Sequence, residues 1–334
     1  MNSELNGFFE DCLEVRDGFS RVDWEGLSHY THKLGDSDEL WSEIARLWVS
    51  QLVSEVKDDC VQFESSNFLL VSSGSISESE NTSILSFLEM ARRQILSTLS
   101  GIASDEGYGK HVVLIFADSD EYYRYISDFY QESATMTYSA GVYLNRGYGH
   151  FAMTYLDMNE AEATLGHELT HALLSHLPIP TWVDEGLAVG MENLLSHSVY
   201  TSMDADMESQ HQKFWNASRF KEFYSGESFS SAGKGQELSY HLGEFAVNTL
   251  SKDYESFTEF ANLANFNDGG ESAAKEVYGN GLDDLITGLF LNEGADVTKI
   301  NSQLDVANKK MIFTSLAILV FLVLIMASLV LMNN

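Results

Sequence analysis

Residues 159–195 constrain the fold of this chain more tightly than any other stretch. Asn159-Glu160-Ala161-Glu162-Ala163-Thr164-Leu165-Gly166 consists of good helix formers, with Asn159 placed to cap the helix start. Ala172, Leu173, Leu174 and Leu177 carry an apolar face onward. Pro178 and Pro180, the only two prolines in the chain, stop that helix. A second helix is predicted from near Asp184 to about Leu195, so the stretch reads as helix, fixed turn, helix.

The first of these helices carries His167-Glu168-Leu169-Thr170-His171. Histidines four apart project from one helix face a single turn apart, so both imidazoles can hold one Zn²⁺ ion. Glu168 between them is placed to act as general base on a water at that ion. A bare H-E-x-x-H also arises by chance. Here its setting adds Trp182-Val183-Asp184-Glu185-Gly186-Leu187-Ala188 beyond the turn, and Glu185 can supply a third ligand. On its own, Glu185 also reads as a solvated carboxylate near a helix start, favoured by the helix dipole. Three protein ligands with an open position describe a catalytic zinc site, and four a structural one. A structural clamp would need a further ligand, for which His150, His176 and His241 are the candidates.

The segments H-E-L-T-H-A-L-L and P-I-P-T-W-V-D-E-G-L-A-V resemble the gluzincin metallopeptidases, in particular the compact peptidase MA-like families. The resemblance extends from about Phe68 to Leu291, and its specific part runs from Leu165 to Ala188. It implies His167, His171 and Glu185 as zinc ligands, Glu168 as the catalytic glutamate, and a peptide or protein substrate. Leu238-Ser239-Tyr240-His241-Leu242-Gly243 is similar to the gluzincin segment whose tyrosine meets the reaction intermediate, which implies that role for Tyr240. By periodicity alone Tyr240 is an ordinary helix residue, and His241 is an alternative for the same role. The resemblance also implies that an edge strand beside the cleft holds an extended peptide. That role falls on Gly141, Val142 and Tyr143 if Ala140–Asn145 and His150–Leu156 pair as a hairpin.

The chain departs from the family in two places. Aminopeptidase members carry a Gly-x-Met-Glu-Asn signature upstream of the zinc helix. Ser139-Ala140-Gly141-Val142-Tyr143-Leu144-Asn145 has no such glutamate, so an endopeptidase is expected. Some members place an aspartate one turn after the glutamate ligand to orient a histidine. Val189 stands there in this chain, so any such partner must come from elsewhere.

The formal net charge of −31 excludes phosphate-based nucleic-acid binding and a polybasic grip on anionic lipid. Cys12 and Cys60 make neither a disulfide framework nor a zinc-finger spacing. Met311–Met332 has no charged residue, and its 22 residues would span about 33 Å as a helix, the thickness of a bilayer core. Lys299, Lys309 and Lys310 precede it, which predicts a single-pass tail anchor with the catalytic domain on the cytoplasmic side.

The expected class is α+β: a gluzincin-like metallopeptidase domain with a small mixed sheet, zinc-binding helices and a helical C-terminal lobe. The expected divisions are an N-terminal helical region over 1–62, the metallopeptidase domain over 63–291, a linker over 292–310 and the transmembrane helix over 311–332. Phe68–Val71 and His111–Phe116 read as strands, Ser72–Ser83 as a loop and Ile84–Leu99 as a helix. The rival reading is a zinc-fold scaffold that binds at the membrane and cleaves nothing. Glu168 argues against it, because a pure binding module needs no base between its histidines.

Overall fold

The computed structural model describes residues 3–16, 19–55, 59–127, 129, 140–196, 203–230 and 233–292. In chain order the elements are α1 (Ser3–Asp11), β1 (Leu13–Arg16), β2 (Phe19–Val22), α2 (Trp24–Leu34), α3 (Asp38–Glu55), β3 (Cys60–Glu64), β4 (Phe68–Ser73), α4 (Glu78–Thr98), β5 (His111–Phe116) and α5 (Ser119–Ser127). They continue with β6 (Gly141–Leu144), β7 (His150–Thr154), α6 (Met158–Leu174), α7 (Thr181–Leu195), α8 (Ala205–Phe214), α9 (Ala217–Tyr224), α10 (Lys234–Leu250), α11 (Tyr254–Leu263), α12 (Glu271–Tyr278) and α13 (Leu282–Asn292). This is a mixed α+β chain with a small mixed sheet, as the sequence predicts. The chain divides into two compact units, Met1–Asp283 and Asp284–Asn334. The strands, helices α1 to α12 and the zinc-motif residues all belong to the first unit. The predicted anchor helix over 311–332 lies outside the described residues. No helix among the described residues is long and apolar enough to cross a membrane.

The five-stranded sheet has the order β3-β4-β5-β7-β6. Its centre is parallel, with β4 on β5 and β5 on β7, and both edges are antiparallel. The β6–β7 hairpin forms as predicted, with Gly141 opposite Met153 and Tyr143 opposite Phe151. Strands β4 and β5 read as nearly continuous apolar runs because helices cover both sheet faces. On one face Leu69, Val71, Val112, Leu114, Phe116 and Ala152 join Ile44, Trp48 and Leu52 of α3 in a single core. The alternate residues, among them Phe68, Leu70, Val113, Phe151 and Met153, are also buried, and α4 and α6 pack on that side. Each such aliphatic or aromatic side chain contributes about 1.5–3 kcal/mol on burial.

Several elements differ from the sequence reading. The N-terminal region is not wholly helical. It contains the β1–β2 hairpin, and β3 crosses the 62/63 boundary to pair with β4. The Ser/Glu-rich loop expected over Ser72–Ser83 is partly helix, because Ser77 and Glu80 form a reciprocal capping box that starts α4 at Glu78. The zinc-motif helix starts earlier than Asn159. Asp157 is its cap and accepts the Glu160 N–H at 3.1 Å. Pro180 precedes α7, so that helix begins at Thr181 rather than near Asp184.

Candidate metal centre

Helix α6 presents His167, Glu168 and His171, and α7 presents Glu185 from its second turn. The start of α7 is held by Trp182, whose fully buried indole donates Nε1–H to Gly269 O at 2.9 Å and packs near Phe223 and Phe260. The ring centroids of His167 and His171 are 4.8 Å apart at 75°. Glu185 Oε2 lies 3.3 Å from His167 Nε2 and 3.6 Å from His171 Nε2. All three ligand atoms fall within 4.8 Å of one another, so His167, His171 and Glu185 form a group that can hold a metal ion.

Two features fit an ion at this group. Glu185 Oε2 is buried and has no hydrogen-bond partner, although two ring nitrogens stand close by. An orphaned carboxylate oxygen is costly unless something else satisfies it. The spacing also suits a cation: two ligands each about 2.1 Å from a tetrahedral ion are about 3.4 Å apart. None of His150, His176 or His241 belongs to the group. His150 sits in the core against α3, bonded to Tyr125 Oη and to the Tyr148 carbonyl, each at 2.7 Å. The His241 Nδ1 atom is 2.8 Å from His211 Nε2.

The other ring nitrogens meet carboxylates. His167 Nδ1 is hydrogen-bonded to Glu192 Oε2 at 3.0 Å. His171 Nδ1 lies 3.0 Å from Asp184 Oδ2, close enough for an ion pair but not aligned as a hydrogen bond. Such partners fix the ring orientation and turn Nε2 toward the ion. Glu192 is two turns beyond Glu185 and so shares its helix face, a spacing legible in the sequence. The family pattern points instead to an aspartate one turn on and an amine-binding glutamate upstream, so it does not mark Glu192. Glu192→Ala is expected to weaken metal affinity about 10–100-fold while leaving the fold intact. Competition against a chromogenic chelator measures this.

The electrostatics match the geometry. Burial opposes a charged His167, but Glu185 and Glu192 outweigh it and lift its pKa to about 9. Burial likewise opposes a charged His171, and Asp184 and Glu185 outweigh it to raise that pKa well above its usual value. Burial favours a neutral Glu185, yet the two histidines hold its carboxyl far below the usual range. The cluster therefore demands positive charge, which protons or a cation can satisfy.

Glu168 is part-buried, and the loss of solvent around its carboxyl raises its pKa. Its Oε2 accepts the backbone N–H of Tyr143 at 2.6 Å, across from the sheet edge at β6. Gly141 of the same strand packs on Thr164 so closely that a Cβ there would collide with its methyl. Val142 lies partly buried on the opposite sheet face, against the core shared with α3.

Helices α7 and α10 cross at glycines. A Cβ on Gly186 would come within 2.5 Å of Gly243 O, and one on Gly243 within 2.9 Å of Trp182 O. Tyr240, three residues before Gly243 on α10, lies near enough to the group for its carboxylates to act on it. Its hydroxyl pKa is raised first by burial and then by Glu185, Glu168 and Glu192, and its ring stands edge-on to Phe229. One turn further along α10, buried Glu244 accepts a hydrogen bond from Asn193 Nδ2 at 2.7 Å and ties the two helices together. Gly243→Ala is expected to cost about 1–3 kcal/mol through overpacking and to displace Tyr240. Denaturant unfolding of the variant against the parent checks the cost.

The described site is thus a His₂Glu metal-capable group with a part-buried glutamate between the two histidines. No family model matches this chain, and no curated protein is significantly similar to it.

Proposed function

We propose that the chain is a zinc-dependent peptidase of gluzincin type, with endopeptidase rather than aminopeptidase action, held at a membrane by residues 311–332. The observation that carries this reading is the convergence of His167 Nε2, His171 Nε2 and Glu185 Oε2 beside a part-buried Glu168. Two imidazoles and one carboxylate form a donor set suited to Zn²⁺, and three protein ligands leave a coordination position for solvent or substrate.

A bound zinc ion supplies Lewis acidity, which makes a water more acidic and polarises a carbonyl oxygen. The residues of the chain do the rest. His167, His171 and Glu185 hold the ion, and Asp184 and Glu192 keep the imidazoles turned toward it. Glu168 takes a proton from the attacking water and returns it to the leaving amine. The Tyr240 hydroxyl donates to the developing oxyanion, an interaction worth about 2.7–4 kcal/mol of barrier when such a donor is well placed. Gly141, Val142 and Tyr143 line the edge along which an extended peptide would lie.

The test is digestion of a broad peptide library by the zinc-loaded protein. Cleavage is expected to stop with a chelator and return with added Zn²⁺. A library left intact by fully zinc-loaded protein would overturn the peptidase reading and favour an inactive scaffold.

A further inference from the structure

We propose that the backbone amide of Tyr143 is a positioning group that clamps one oxygen of Glu168 and so selects the other as the base. The proposal rests on the peptidase reading for its catalytic meaning, but not for the clamp itself.

Strand β6 and helix α6 run in step. Gly141 touches Thr164, and two residues on, Tyr143 bonds to Glu168, four residues on in the helix. Two strand residues rise about 6.6 Å and four helical residues about 6 Å, so the two registers stay matched over this interval. The absence of a side chain at Gly141 sets the strand–helix gap. With a Cβ in that position, β6 would move outward and the 2.6 Å bond at Tyr143 would open.

Because β6 is an edge strand paired only with β7, the amide at Tyr143 points out of the ladder and toward α6. Among the described residues it is the hydrogen-bond donor that the part-buried Glu168 receives. A carboxylate oxygen that accepts a hydrogen bond is the weaker base of its pair. With Oε2 held, Oε1 is the oxygen left to meet the water, and the carboxyl plane is fixed before substrate arrives. The same bond withdraws the Tyr143 amide from the edge, so a peptide strand lying along β6 cannot use that one donor.

The geometry allows a clean test. Proline is tolerated on an edge strand where its missing N–H faces away from the ladder. In the full zinc-loaded chain, Tyr143→Pro removes the amide donor and sets its Cδ against Glu168 Oε2, so the carboxylate is released from its held position, whereas Tyr143→Ala deletes the ring and keeps the amide. Tyr143→Pro is expected to lose at least tenfold in kcat relative to Tyr143→Ala, with zinc content nearly unchanged. Gly141→Ala should lose activity as well, and adding Thr164→Ser, which removes the colliding methyl and leaves only the milder contact with Met153 Cβ at 3.2 Å, should restore part of it. Equal kcat in the proline and alanine variants, or no recovery in the double variant, overturns the proposal. Hydrogen exchange reads the clamp without activity. Exchange at the Tyr143 amide should quicken at least tenfold in Glu168→Ala, while Val142 and Leu144 are unchanged. An unchanged Tyr143 rate overturns the clamp. A protected amide in a parent that cleaves nothing overturns the peptidase reading instead.

Discussion

Replacing Glu168 with glutamine is expected to leave zinc bound and the fold unchanged while kcat falls by about 10²–10⁴-fold, the range typical for loss of a positioned general base. Glutamine is nearly the same size and still accepts the Tyr143 N–H through its carbonyl oxygen, so packing around the part-buried side chain changes little. It cannot take a proton from water. His171→Ala is the informative contrast. It removes a ligand from the group and should lose the ion itself, so metal content and activity fall together. Metal analysis beside peptide turnover separates the two variants. A Glu168→Gln protein that cleaves peptides as fast as the parent would remove Glu168 from the mechanism.

Metal binding should strengthen steeply with pH, and the stability of the metal-free protein should move the other way. In the metal-free fold both histidines are held protonated, His167 with a pKa of about 9, because the facing carboxylates outweigh burial. Each imidazole must release its Nε2 proton to ligate. Loading near neutral pH therefore displaces close to two protons per ion, and apparent affinity rises by up to about a hundredfold per pH unit, with the His167 share of that rise ending above about pH 9. For stability the sign is opposite. A histidine whose folded pKa is raised above its ordinary 6.5 adds stability that is complete below 6.5 and is lost as pH rises through about 9. The melting temperature should thus fall over that window in chelator and hold in zinc, so the gap between the two curves widens with pH. His150 does not confuse the measurement, because burial lowers its pKa to about 4, below the window. A gap that stays constant from pH 6.5 to 9 would mean that these imidazoles are not the ligands.

Local chemistry explains what could be read in the sequence. The i, i+4 histidines, the helix formers around them and the paired prolines specify the α6–turn–α7 unit almost by themselves, since spacing and backbone restriction act over a few residues. Apolar runs mark β4, β5 and the β6–β7 hairpin for the same reason. Helices α8 and α9 and the β1–β2 hairpin carry no comparable pattern. Their sequences, such as Ala205–Phe214 and Phe19–Val22, are short and mostly polar, and they are fixed by caps and by packing on other elements. Asp204 and Asn216 are the caps that could have been noticed.

The roles of Glu192 and Tyr143 show where sequence reasoning stops. Glu192 lies on the right helix face, but nothing in the spacing says which histidine nitrogen it meets. The Tyr143 amide carries no sequence signal at all, because every residue except proline has an N–H. Its use depends on how closely β6 approaches α6.

By itself, the sequence determined the metal-ligand types, their helical spacing and the turn that folds the glutamate arm back. These are matters of side-chain chemistry and short-range backbone geometry. Only the tertiary structure decided which carboxylates orient the imidazoles, that α7 and α10 cross at Gly186 and Gly243 with Tyr240 near the ligands, and that a sheet edge grips Glu168. Those depend on distances between segments far apart in the chain, set by close packing rather than by any local pattern.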